Sequence, residues 1–180
     1  MNNQQYLGDF KVTDKLIITD PCYEVETALS GDGGLVVNAQ KGTWVMFVDY
    51  VDNAVAKLFV ASNKWYNSYK VKNVTQTHDG YGFAAVDSGQ VSIFNLDYYK
   101  ANQPDDNYFD TNSFYRKVCD ISLSEDLAGI CFDQGCVSSS GYGDGEYAIN
   151  VGIDNDEIVQ FIEVVFIDDE DEDEYEDDDY

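Results

Sequence analysis

The chain predicts a mainly β fold: an antiparallel sandwich or open barrel with one short helical insertion and a disordered acidic C-terminal tail. Three observations carry this reading. Short β-branched and aromatic runs recur between glycine, asparagine and aspartate breaks along the first 167 residues. One stretch alone shows helical spacing. The last 13 residues hold 11 acids and no aliphatic side chain, a composition that cannot offset its own ordering entropy. With 44% hydrophobic residues, 14 tyrosines, 10 phenylalanines and only 2 prolines, residues 1–167 suffice for a single domain with a real core.

Taken in order, Lys15-Leu-Ile-Ile-Thr19 is a β-branched run that stops at Asp20-Pro21, a pair biased toward extended or turn geometry. Gly33-Gly34 precedes Leu35–Asn38, and Lys41-Gly42 turns the chain into Thr43–Val51, the strongest strand pattern. Asp52-Asn53 then breaks it and Val55–Ala61 returns, which predicts an antiparallel hairpin. Further strands are expected over Trp65–Val74, Tyr81–Val86 and Val91–Phe94, with His78 in a loop. Helix is expected from about Asp105 to Cys119, capped by Asp106 or Asp110, with Tyr108, Phe109, Phe114, Tyr115 and Val118 at helical spacing. Asn95 to Asn102 adds a turn or two. Strands resume over Ile130–Phe132, Gly135–Ser138, Gly145–Val151 and Glu157–Ile167, the last two joined by the turn Asp154-Asn155-Asp156.

Charge is the most asymmetric feature. The net charge is −25, and every lysine and arginine lies at or before Lys117, so the last 63 residues carry 21 acids and no base. Such a chain repels nucleic acid and anionic membrane and attracts basic protein surfaces. Asp168, Asp169, Glu170, Asp171, Glu172, Asp173, Glu174, Tyr175, Glu176, Asp177, Asp178, Asp179 and Tyr180 form the expected partner-binding tail, the alternative being a purely solubilising extension. Apolar runs are strand-sized, no membrane span is expected, and no segment pairs a basic head with an apolar core. Cys22, Cys119, Cys131 and Cys136 therefore read as reduced thiols in the cytoplasm of a cell or of an infected cell.

Chemistry concentrates in turns. Asp20, Cys22 and Tyr23 flank Pro21, but a thiolate nucleophile needs a base or a cation, and the surroundings of Cys22 are acidic. The cysteines lack zinc spacing. Ser138–Tyr147 is glycine-rich but has no following helix or lysine, so a Gly-Asp-Gly turn explains it better than a phosphate cradle. Asp144, Glu146, Asp154, Asp156 and Glu157 offer hard oxygens for calcium without the spacing of a helix-loop-helix site. Lys64–Lys72 interleaves bases with aromatics, as a stacking platform for single strands does, yet the overall charge opposes nucleic acid.

Ile18-Thr-Asp-Pro-Cys-Tyr23, Gly34–Trp44 and Ser139–Tyr147, with Val86-Asp-Ser-Gly-Gln90 between them, occur in an order that resembles the bacterial and phage family called domain of unknown function forty-two forty-one. The resemblance covers about residues 14 to 167 and implies a compact, mostly β, intracellular domain without an established activity. The acidic tail and the aromatic stretch from Tyr98 to Tyr115 depart from the family pattern.

These readings converge on a non-enzymatic acidic interaction protein that binds a basic protein surface, in one form a phage-encoded decoy whose carboxylates stand in for the phosphates of nucleic acid. Two alternatives stay open. One is a ligand-binding or enzymatic β domain with a pocket of Asp20, Cys22, Tyr23, Asp87, Ser88, Tyr142 and Asp144; the other is a virion or assembly component. No catalytic residue, metal or cofactor is expected, and the sequence sets no oligomeric state.

Overall fold

Two-residue alternation is plainest in Trp44-Val45-Met46-Phe47-Val48. There Trp44, Met46 and Val48 enter one core while Val45 and Phe47 face the other way. The computed structural model describes residues 4–30, 33–67, 76–102 and 110–168. In chain order these form β1 (Gln5–Val12), β2 (Lys15–Thr19), α1 (Val25–Leu29), β3 (Gly34–Asn38), β4 (Gly42–Val51), β5 (Ala54–Ser62), α2 (Asn63–Tyr66) and β6 (Gln76–Val86). They continue with β7 (Gln90–Asn95), α3 (Leu96–Asn102), α4 (Phe114–Ser122), β8 (Ala128–Cys131), β9 (Gly135–Ser139), β10 (Gly145–Ile153) and β11 (Val159–Val165).

The strands make two antiparallel sheets, β1-β4-β5-β11-β10-β6 and β3-β2-β7-β9-β8. Their inner faces share one core, in which Phe10, Leu16, Ile18, Trp44, Met46, Leu58, Ile93, Ile149 and Ile162 are fully buried. Each such side chain contributes about 1.5–3 kcal/mol by leaving water. Trp44 also satisfies its indole N–H on the Gln40 carbonyl at 2.6 Å. The sandwich does not close into a barrel, but its edges meet: the Lys11 N–H donates to the Asp133 carbonyl at 3.2 Å, and Leu35 of β3 lies against Gly82 of β6.

A second core explains why β2 and β7 are apolar on both faces. Ile17, Phe94 and Val137 lie on the outer face of the five-stranded sheet, under Val25 and Ala28 of α1, Leu96 and Tyr99 of α3, and Val118 of α4. On the other outer face, Val45, Phe47 and Ala61 meet Phe59, Phe161, Trp65 and Tyr66. Asn95, 1% exposed, locks the turns at the far end: its amide oxygen accepts from the Thr13 N–H at 2.9 Å and its amide N–H donates to the Lys11 carbonyl at 2.6 Å.

The expected β class, the Asp52-Asn53 hairpin and the Asp154-Asn155-Asp156 turn are all present. Asp52 and Asn53 have φ of 48° and 65°, the left-handed pair that a two-residue hairpin requires. Other expectations need correction. Trp65 and Tyr66 are helical, because the Ser62 hydroxyl caps the Trp65 N–H at 3.2 Å and the rings fold onto the sheet; Asn67 caps the end of that helix, and the rest of the expected strand, 68–74, lies outside the described residues. His78 sits in β6 opposite Val151, its ring edge-on to Tyr81. α4 starts at Phe114 and is capped by Ser113, whose hydroxyl accepts from the Arg116 N–H at 3.2 Å, so neither Asp106 nor Asp110 caps it; 103–109 lie outside the described residues. α3 falls on the helical turns expected at Asn95 to Asn102 and α4 on the C-terminal part of the expected insertion, while α1 and α2 are two further short helices among the described residues. The acidic turns proposed for calcium stand at opposite ends of β10, about 30 Å apart at ~3.3 Å per residue, and cannot share an ion.

Candidate functional site

Asp20 ends β2, since Pro21 has no N–H to continue the ladder. Its carboxylate is fully buried and accepts from four donors. One oxygen takes the Cys22 N–H at 2.8 Å and the Ser88 hydroxyl at 2.6 Å. The other takes the N–H groups of Asp87 and Ser88 at 2.8 and 2.7 Å. A buried carboxylate persists here because neutral dipoles fill its acceptor sites. The contacts staple the β2–α1 turn to the β6–β7 turn.

Around this staple the network widens. Tyr99, fully buried on α3, donates its hydroxyl to the Tyr23 carbonyl at 2.6 Å. Gln90 donates to the Ser88 hydroxyl at 3.2 Å and accepts from the Ser122 hydroxyl of α4 at 2.6 Å, with the Cys119 sulfur 3.5 Å away. The left-handed Gly89, φ 70°, turns the chain so that its carbonyl accepts from the Ser140 N–H at 3.0 Å, which brings the glycine-rich turn alongside. Register agrees: Thr19 pairs with Ser92, Gln90 with Ser139 and Val86 with Gly145. The turns at 20–23, 87–89 and 140–144 therefore share one end of the sandwich.

Of the seven expected pocket residues, Asp20, Cys22, Tyr23, Asp87 and Ser88 come together. Tyr142 and Asp144 share the end but stand outside the network, Tyr142 being 78% exposed. The ring that organises their turn is Tyr147, whose hydroxyl lies 2.6 Å from the Gly143 carbonyl and 3.0 Å from that of Ser140. Gln90, Tyr99, Cys119 and Ser122 were not anticipated. Their one signal was a set of polar side chains interrupting β7, Gln90, Ser92 and Asn95, in an otherwise apolar strand.

The chemistry of the cluster is that of a clamp. Burial, then the Asp20 hydrogen bond, then the Asp20 and Asp87 charges push the Cys22 thiol far above its usual range, so it stays protonated at neutral pH. Burial and the Asp87 hydrogen bond raise the Tyr23 phenol likewise, and burial followed by the Asp20 charge raises that of Tyr99. None of the residues just named is a base or cation able to activate the thiol. Among the described residues no group of three or more His, Cys, Asp or Glu side chains is placed to hold a metal ion.

What surrounds the clamp is negative. Exposed Asp52, Asp87, Glu125, Asp126, Asp144, Glu146 and Asp168 stand on or beside the turns of this end, and those turns contain no lysine or arginine. Asp126 belongs here because the Tyr50 hydroxyl donates to its carbonyl at 2.5 Å and Gln5 to its carboxylate at 3.0 Å. The ion pairs Lys41–Asp14 and Arg116–Asp120, both 3.0 Å, lie elsewhere. Leu123, also 78% exposed, sits among the acids as Tyr142 does. Phe166 and Ile167 still pack in the core, both N–H groups on the Ala56 carbonyl, before the chain emerges at Asp168; 169–180 lie outside the described residues. No helix is long and apolar enough to cross a membrane. No family model, curated protein or solved structure matches the chain.

Proposed function

We propose that this protein is a non-enzymatic interaction protein whose acidic end docks on a basic surface of another protein. One observation carries the reading: the clamped end presents seven exposed carboxylates on or beside turns that hold no compensating base. Negative potential on an end whose turns are tied to one another steers basic partners and repels nucleic acid. The sequence that continues from Asp168 carries ten further acids. In its specific form the partner's basic surface is one that otherwise binds nucleic acid, and the protein acts as a decoy in a bacterial or phage-infected cytoplasm. Kinship with the family called domain of unknown function forty-two forty-one belongs to the same proposal, because the resembling segments supply the clamp's turns. The pocket reading lacks support: the Asp20 carboxylate is already saturated by its own backbone.

The test is capture from a native lysate at low salt, followed by affinity measurement against the captured protein across ionic strength. Affinity should fall steeply with salt and with neutralisation of Asp52, Asp87, Glu125 and Asp144. An affinity indifferent to both would defeat the proposal.

A further inference from the structure

The outer face of the six-stranded sheet carries a groove of about 610 Å³ that runs from the acidic end toward Gly80. Its trough exists because Ala148, a small residue, lies in register between two larger ones, Phe83 on β6 and Val165 on β11. Phe83 beside it is 56% exposed. Ala148 and Val165 form its apolar floor and Asp79, Glu146 and Asp168 its rim, while Tyr147 and Phe166 border it with their rings turned into the inner core. The wall at Gly80 is pinned, since the Gly80 N–H donates to the Asn150 amide oxygen at 2.8 Å and that amide donates to Glu163 at 3.0 Å. Among the described residues none of the three rim carboxylates makes a side-chain hydrogen bond or ion pair. Lys57, in register with Val165 on the β5 side, also stands opposite Asp49.

We propose that this groove seats an extended, lysine- or arginine-bearing segment of the basic partner; the inference rests on the reading above and names where that partner's chain lies. An apolar floor under a ring of carboxylates fits a side chain with a long aliphatic stem and a cationic head. An acidic or neutral segment would leave the rim charges uncompensated. Concavity sharpens the attraction, because field lines from the rim converge in the trough.

The experiment titrates the full chain with a short blocked peptide alternating lysine and valine, observed by amide NMR and by fluorescence anisotropy. Shifts should cluster at Gly80, Ala148 and Val165. Replacing Asp79→Asn, Glu146→Gln and Asp168→Asn together should weaken binding about tenfold, summing three exposed charge contacts. The charge-matched set Asp97→Asn, Asp133→Asn and Asp156→Asn, at the opposite end, should change it less than about twofold at moderate ionic strength. Ala148→Arg should block the peptide by placing a tethered cation in the trough. Equal losses from the two acid sets would overturn the groove while leaving a basic partner in place. No binding by the unaltered chain at low salt would overturn both. Equal affinity for free spermidine would overturn the assignment to a peptide.

Discussion

Replacing Asp20 tests the clamp directly. The Asp20→Ala variant leaves the N–H groups of Cys22, Asp87 and Ser88 and the Ser88 hydroxyl without their acceptor in a fully buried site. Each abandoned donor costs about 1–3 kcal/mol. The hydroxyl can rotate to another acceptor, and water can enter the space a carboxylate vacates, so about 4 kcal/mol is the expected total. Asp20→Asn is the more discriminating change. Its amide oxygen keeps the donors Asp87 and Ser88, and its NH2 faces a Ser88 oxygen that can turn to accept. The Cys22 N–H alone is then opposed by another donor, and the charge assistance is gone, for about 2 kcal/mol. With a urea slope of about 2 kcal/mol per molar, the unfolding midpoint should fall by ~1 M for asparagine and ~2 M for alanine. A double-mutant cycle with Ser88→Ala should show coupling of about 1 kcal/mol or more, since the two residues share one contact. Were Asp20→Asn within about 0.5 kcal/mol of the parent, a range typical of uninvolved surface sites, the reasoning from saturated acceptors would be refuted.

Stability should also decline on the alkaline side. Burial raises the Cys131 thiol from 9.0 to about 12, so above about pH 9 the unfolded chain releases a proton that the folded one keeps. That contribution is complete below the unfolded value and is lost as pH rises toward the folded one, with a slope of about 1.4 kcal/mol per pH unit for each such group. Urea midpoints measured across this interval should fall less steeply for Cys131→Ala, and identical slopes would argue against the burial of this thiol. Gly34→Ala should destabilise by about 3 kcal/mol or prevent folding, because a Cβ there would lie 2.3 Å from the Ile18 carbonyl oxygen, which backbone pairing holds in place. A thermal midpoint unchanged from the parent would show that β2 and β3 are not so closely paired. Tyr142→Ala should leave stability within about 0.5 kcal/mol, its ring being 78% exposed, and a large loss in calorimetry would place that ring in the core instead.

Legibility followed the range over which the determining interactions act. The Asp52-Asn53 hairpin was plain because its left-handed geometry is written in two adjacent residues. Asp20-Pro21 announced the end of β2 for the same reason. By contrast α1 and α2, at five and four residues, are too short to hold by propensity and exist through packing of Val25, Ala28, Trp65 and Tyr66 on distant strands. β1 offered a usable alternation, Phe10 and Val12 inward with Asp9 and Lys11 outward, but Gly8 at φ 136° interrupts it with a bulge. In the site, turn residues rich in Asp, Ser and Gly pointed to the right loops. Which side chains would face inward was another matter. Tyr142 and Tyr147 are both tyrosines beside glycines, and only the pairing of Tyr147 with Ala84, an inward position, decides which one is recruited. Gln90 meets Ser122 across 32 residues of chain and Tyr99 meets Tyr23 across 76, convergences that no local pattern encodes.

The way the end is fastened bears on what it can bind. Turns that must be rigid are commonly tied by lysine or arginine pairing with carboxylates, and each such pair cancels the field it anchors. Here the ties are backbone N–H groups, serine and tyrosine hydroxyls and a glutamine amide, all converging on or beside one buried acid. Neutral donors fix the geometry without neutralising anything outside. Asp87 shows the consequence within a single residue: its N–H is held by Asp20 at 2.8 Å while its carboxylate is exposed. In the proposed role, rigidity would lower the entropy lost when a partner docks, and the uncancelled charge would supply attraction at a distance beyond contact, fading over the ~8 Å screening length of physiological salt. A chain that had pinned the same loops with salt bridges would keep the fold and lose the field. Spending a buried carboxylate on the inside is therefore what leaves the outer ones free to act.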